Sequence, residues 1–165
     1  MMKEKRIAIV PGSFDPITNG HVDLVKRALQ TYDQVYLAVM INAEKRYMFT
    51  LEQRKRIAEA AVRDIPNITV IASEGMLWQL AKDLGACAIV KGYRNEVDLA
   101  YEQRMAEYNS ERYPEAQTVL LPSDSLLVEL SSTAVRAKIL ERGDLSGYLP
   151  AGAIDEIYKI IPRAL

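Results

Sequence analysis

The sequence predicts an α/β protein, a doubly wound parallel sheet of about five strands with helices on both faces, and three observations carry that expectation. Short apolar runs alternate with segments of helical period along the whole chain, as expected of a parallel sheet covered on both sides. The first apolar run, Ile7-Ala8-Ile9-Val10, leads through Gly12 into the dense loop Ser13-Phe14-Asp15-Pro16-Ile17-Thr18-Asn19-Gly20-His21, the strand, turn and helix start of a phosphate site. The length of 165 residues with 49% apolar content suits one compact domain, 1–165, and no linker-like stretch divides it.

Strands are expected near 6–10, 34–41, 68–72, 87–91 and 117–121, at the apolar runs. The segment 50–65 places Leu51, Ala58, Ala61, Val62 and Ile65 on a helical period, with Thr50 and Gln53 at capping-box spacing. A helix over 76–84 should stop at Gly85 and one over 131–142 at Gly143, each glycine suited to a left-handed C-cap. Between them, Val97, Tyr101, Met105 and Tyr108 form a stripe at helical spacing, which reads as a core-facing side. A last amphipathic helix near 150–161 follows Pro150 and packs on the same domain. No internal repeat or low-complexity tract is evident.

Charge narrows the partners. The 21 basic and 22 acidic side chains leave a net charge of −1, which offers no global attraction to nucleic acid or an anionic membrane, so any anion site must be local. The apolar start is too short for a signal-peptide core, and no run approaches the roughly 18 residues of a membrane span, so a cytoplasmic protein is expected. The single cysteine, Cys87, sits in the apolar run Ala86-Cys87-Ala88-Ile89-Val90 and reads as a small core thiol.

Two familiar phosphate motifs are excluded by counting. A dinucleotide fingerprint needs three closely spaced glycines where only Gly12 and Gly20 flank the loop, and a Walker loop needs Gly-Lys-Ser/Thr where Ile17 stands. The loop nonetheless brings the only histidine, His21, to a helix start, where unpaired N–H groups and partial positive charge favour an anion. There His21 could donate to an oxygen gaining negative charge. Further candidates follow the other strands: Lys45 and Arg46 after the second, Lys91-Gly92-Tyr93-Arg94 after the fourth, and Ser131-Ser132-Thr133 at a helix start after the fifth.

These motifs, in this order, resemble the nucleotidyltransferase superfamily. Its signature runs Gly-x-Phe-Asp-Pro to x-x-Gly-His, and the ending Thr18-Asn19-Gly20-His21, where most relatives have His-x-Gly-His, is similar to the phosphopantetheine adenylyltransferase family. The resemblance runs from Ile9 to about Pro150 and implies a Rossmann-like sheet. It implies that His21 contacts the α-phosphate under attack and that Ser13, Phe14, Gly92, Tyr93, Arg94 and Glu102 meet ATP. The segment Leu130-Ser131-Ser132-Thr133-Ala134-Val135-Arg136 is similar to the Ile-Ser-Ser-Thr/Ser-x-x-Arg/Lys motif, and its residues Leu130 to Thr133, with the less closely matched Leu127-Val128-Glu129 before them, would meet the same nucleotide. Ser13, Lys45, Leu77 and Lys91 would meet 4′-phosphopantetheine, although Leu77 reads equally as a helix-start core residue. Two positions depart from the family: Lys91 stands where relatives have arginine, and Leu127 where they commonly have an aromatic residue.

The resemblance implies transfer of the adenylyl group of ATP to 4′-phosphopantetheine, giving dephospho-coenzyme A and pyrophosphate, the penultimate step of coenzyme A biosynthesis. Mg2+ carried mainly by the ATP phosphates, a homohexamer and feedback by coenzyme A are implied with it. Two other readings stand beside it. A nucleotidyltransferase for nicotinamide mononucleotide or a cytidylyltransferase would usually show histidine at position 18, and a regulatory nucleotide-binding module would keep the fold without turnover.

Overall fold

The structure, a computed structural model, describes residues 4–123 and 131–161. Five strands, β1 (Ile7–Gly12), β2 (Gln34–Met40), β3 (Ile68–Ser73), β4 (Ala88–Tyr93) and β5 (Gln117–Pro122), form one parallel sheet in the order β3-β2-β1-β4-β5. Among the described residues six helices connect or flank them: α1 (Asn19–Leu29), α2 (Leu51–Val62), α3 (Leu77–Leu84), α4 (Glu96–Arg112), α5 (Ser132–Leu140) and α6 (Ala151–Ile160).

Alternation along the strands sorts the side chains into two cores. Ala8, Val10, Val35, Leu37, Val39, Ala88 and Val90 point into the larger one with residues of α1, α2, α5 and α6. Ile9, Ala38 and Ile89 point into the smaller one, where Ala81, Leu77, Leu80 and Leu84 of α3 pack. Leu77 is therefore a half-buried core residue on that side. Cys87 is half-buried against the larger core.

All five expected strands form, and β1 and β4 each run two residues past their expected ends, so Pro11, Gly12, Gly92 and Tyr93 belong to strands. Helix α2 stops at Val62 rather than 65, because Pro66 disfavours helical backbone at Ile65. Thr50 and Gln53 make the expected reciprocal cap at 2.9 and 3.1 Å. Gly85 takes the left-handed C-cap, with φ of 64°. At the end of α5 the expectation needs correcting: Arg142 and not Gly143 is left-handed, with φ of 58°. The helix ends earlier, at Leu140, so Gly143 lies one place farther out and donates its N–H to Lys138 O at 2.8 Å, closing the last turn.

Helix α4 departs from the expected core-facing stripe. Val97 is 79% exposed and Tyr101 50% exposed, while Met105 and Tyr108 are half-buried, so the stripe is no core face. Helix α4 packs on the edge strand β5 and on β4, and none of these contacts covers Val97 or Tyr101.

The strand order sets the place of the site. The chain moves outward from β1 through β2 to β3, then crosses back to β4 on the other side of β1. Between β1 and β4 the pairing covers only Ala8 with Ala88 and Ile9 with Ile89, whereas β1 stays paired with β2 through Gly12 and Val39. The carboxyl ends of β1 and β4 therefore part, and a crevice opens at the switch point.

Candidate active site

At this opening lies a cleft of about 660 Å³, lined by the loops after β1, β2, β4 and β5 and by the start of α5. Gly12 stands at its start, where any side chain would press on the Phe14 ring. A Cβ there would stand 2.9 Å from Phe14 Cζ, with the Phe14 ring folded back over the strand end at φ of 47°. The same ring meets the His21 ring edge-on at a centroid distance of 5.0 Å, so one glycine sets where an aromatic stands and the aromatic braces the histidine.

Thr18 is the N-cap of α1, and His21 occupies the capping-box position that Glu or Gln usually fills. The Thr18 N–H donates to His21 Nδ1 at 3.0 Å, and the His21 N–H donates to Thr18 Oγ1 at 3.4 Å. With Nδ1 occupied as an acceptor, the neutral ring carries its proton on Nε2. Burial, followed by the Arg94 charge, lowers the His21 pKa from 6.5 to about 4. His21 is thus a neutral imidazole at physiological pH, its tautomer set by the helix cap.

Asp15, 3% exposed, ties two loops together: its carboxylate accepts the N–H groups of Met48 at 2.9 Å and Phe49 at 3.0 Å, which follow β2. Arg136 of α5 donates to Asp15 O at 2.9 Å, and Ser132 Oγ donates to Pro16 O at 2.9 Å. The start of α5 is thereby fixed to the β1 loop. Ser131 Oγ accepts the Ala134 N–H at 3.1 Å as the N-cap, and Thr133 Oγ1 accepts from Arg136 at 3.0 Å. The hydroxyls of Ser131, Ser132 and Thr133 are all engaged, and the first N–H groups of α5 are what the helix end leaves for a ligand.

Lys45 and Arg46 line the cleft from the exposed loop after β2, where Tyr47 OH lies 3.3 Å from Ser13 Oγ. Across the cleft, Lys91 Nζ lies 2.7 Å from Glu102 Oε2, and the Arg94 backbone and side chain both reach Asp98 Oδ2 at 3.3 Å. Both cations expected at the end of β4 therefore start out paired with carboxylates of α4. Asn95 caps that helix by accepting the Asp98 N–H at 2.9 Å.

The cleft thus gathers Ser13, Phe14, His21, Lys45, Lys91, Gly92, Arg94, Glu102, Ser131, Ser132 and Thr133 on one surface. Tyr93 and Leu77 do not line it: Tyr93 sits at the end of β4 against Pro122, and Leu77 in the smaller core. Leu127, Val128, Glu129 and Leu130 lie outside the described residues. Sequence reasoning passed over Asp15, Arg27 and Tyr47 as wall residues. Arg27 alone carried a periodic signal, two helical turns after Gly20, and it donates to Pro122 O at 2.8 Å. The lining holds Arg27, Lys45, Arg46, Lys91, Arg94 and Arg136 against Asp15, Asp23, Asp98 and Glu102, a local positive excess in a chain whose net charge is −1.

Among the described residues no group of three or more His, Cys, Asp or Glu is placed to hold a metal, and no helix is long and apolar enough to cross a membrane. Asp15, Asp98 and Glu102 already face cations or N–H groups.

Known proteins resemble this chain in sequence and in fold. The family model described as cytidylyltransferase-like matches residues 9–138. A solved structure from Vibrio parahaemolyticus, assigned as a nicotinate-nucleotide adenylyltransferase, superposes with a TM-score of 0.69 at 20% identity, over 94% of this chain and 93% of its own, a likeness of fold. A phosphopantetheine adenylyltransferase from Alkaliphilus metalliredigens is 42% identical over 93% of this chain and 98% of its own length. One from Clostridium beijerinckii is 37% identical over 94% and 98%. With the family model matching residues 9–138 and these relatives 37–42% identical over nearly the whole chain, the chain belongs to the cytidylyltransferase-like nucleotidyltransferases and, among them, to the phosphopantetheine adenylyltransferase family.

Proposed function

We propose that the cleft catalyses in-line attack of the 4′-phosphopantetheine phosphate on the α-phosphorus of ATP, forming dephospho-coenzyme A and releasing pyrophosphate. The observation that carries this reading is the fixed, neutral His21 donor at the point where β1 and β4 part, beneath a cation-rich wall. The attacking phosphate is already an anion, so no general base is required, and catalysis rests on alignment and charge stabilisation.

His21 Nε2–H donates to the α-phosphate oxygen that gains charge in the transition state, without a titration near neutral pH to interrupt it. Ser13 orients the attacking phosphate, and Lys45 and Lys91 offset repulsion between the two anions. Arg94 holds the triphosphate after leaving Asp98, and the N–H groups at the start of α5 accept further phosphate charge. Glu102 meets the adenosine part once Lys91 turns to the substrate. Mg2+ bound to the triphosphate would neutralise charge on the β- and γ-phosphates. A cytoplasmic location, a homohexamer and feedback by coenzyme A belong to the same proposal and rest on the family resemblance.

The test is pyrophosphate release from Mg-ATP with phosphopantetheine, nicotinamide mononucleotide or no acceptor. Release with phosphopantetheine alone is expected. Release only with the mononucleotide would replace the acceptor, and ATP binding without any release would replace the enzyme by a binding module.

A further inference from the structure

Arg54 of α2 is the most completely buried charged side chain among the described residues, 1% exposed, and no step above uses it. Its contacts reach across three segments. Nη1 donates to Ser13 O at 2.7 Å in the β1 loop and to Met40 O at 2.9 Å at the end of β2, and Nε donates to Phe49 O at 3.3 Å. The guanidinium carbon lies 3.9 Å from the centre of the Tyr47 ring, within cation–π range. The Tyr47 hydroxyl in turn accepts the Asn42 N–H at 2.7 Å and lies 3.3 Å from Ser13 Oγ.

Burial lowers the Arg54 pKa while Tyr47 and Asp15 raise it, and a guanidinium remains charged under all ordinary conditions. Its direct hydrogen-bond partners are backbone carbonyls. Three carbonyls from separate segments can be held at once because the planar fork presents several donors in a fixed geometry, which a lysine ammonium cannot reproduce. The segment between Met40 and Phe49 is the one that carries Lys45 and Arg46, both exposed and on the cleft wall.

We propose that Arg54 is a positioning residue for the acceptor side of the reaction. It locks the Ser13 carbonyl and both ends of the 41–49 loop into one frame, so that Ser13, Tyr47 and Lys45 already stand together when a phosphate arrives. The acceptor then need not order the loop, which would otherwise weaken its productive binding. The inference rests on the acceptor reading given above, and one of its readouts does not.

The variants are Arg54→Lys, which keeps a charge and loses the fork, and Tyr47→Phe, which leaves Arg54 in place and removes the hydroxyl link. Each is measured by steady-state kinetics in both substrates and by amide hydrogen exchange on the full chain. In Arg54→Lys, kcat/KM for phosphopantetheine should fall on the order of 10–100-fold while KM for ATP stays within about twofold. The Asn42 and Met48 amides should exchange faster, with the protection of β1 and β4 kept. Tyr47→Phe should shift acceptor kinetics the same way by less.

Unchanged acceptor kinetics in either variant would overturn the proposal, as would equal losses for both substrates together with exchange accelerated across the whole sheet, which would make Arg54 merely structural. Should Arg54→Lys fail to fold, Tyr47→Phe decides by the same kinetics. Should the wild-type chain use another acceptor, the proposed substrate falls, and unaltered exchange over 42–49 in Arg54→Lys would still overturn the role of Arg54.

Discussion

The two walls of the cleft are held in different ways. On the β1 and β2 side, Asp15 and Arg54 are almost fully buried and bond to backbone: two N–H groups for the carboxylate, three carbonyls for the guanidinium. On the β4 side, Lys91 and Arg94 are partly exposed and bond to the carboxylates of Glu102 and Asp98, in the second and first turns of a single helix. Backbone partners inside the protein cannot leave without unfolding the loop, whereas partly exposed ion pairs contribute little stability and exchange partners readily. One wall is therefore a fixed template and the other a set of charges ready to trade carboxylates for phosphates.

The largest effect should come from the donor built into the fixed wall. Replacing His21 by Ala should lower kcat about 10²–10³-fold, as for other lost transition-state donors, with ATP affinity changed far less. Equal losses in turnover and ATP binding would remove its transition-state role. In the wild type, kcat/KM should show no inflection near pH 6.5 from this residue, because its pKa lies at about 4. Stability gives a second reading of the same ring. Between pH 6.5 and about 4 the unfolded chain binds a proton at His21 that the folded protein refuses, so stability should fall with acidification across that window and be fully present above it. Denaturation of wild type and His21→Gln against pH should show the difference in slope confined to that range.

Asp15→Asn comes next. It sets an amide donor against one of two N–H groups and removes the charge that strengthens both bonds, at a cost of about 1.5–3 kcal/mol in denaturant unfolding. A loss within experimental error would mean that the β1 and β2 wall is not held as described. The smallest effect belongs to the adaptable wall. Glu102→Gln releases Lys91 and should change stability by less than about 1 kcal/mol, while KM for phosphopantetheine falls and KM for ATP rises, each a few-fold. Movement of both constants in one direction would show that the pair does not divide between the two substrates.

The same contrast explains what the sequence revealed. The strands, the capping box at Thr50, the glycine at position 85 and the loop from Gly12 to His21 were legible because period, cap and turn chemistry are local. The exposed stripe on α4 misled, since helical spacing records that a face is apolar and not what covers it, and Val97 and Tyr101 are left exposed. Asp15 was legible as part of a motif, but its grip on Met48 and Phe49 spans more than thirty residues of chain and depends on the β1 and β2 register. Arg54 gave no signal at all, as an arginine within Glu52-Gln53-Arg54-Lys55-Arg56 reads as a solvated helix face until its burial is known. The partner of Lys91 was hidden for a related reason: α4 had to be docked before Glu102 could be seen facing that cation of β4, whereas Asp98 stands only four residues from Arg94.

The measurement that bears most directly on the account is the fate of the α-phosphorus. With ATP labelled at that atom and phosphopantetheine as acceptor, the label should appear in dephospho-coenzyme A while unlabelled pyrophosphate is released. Label retained in ADP, with a phosphoryl group passed to the acceptor, would contradict attack at the α-phosphorus and the role given to His21.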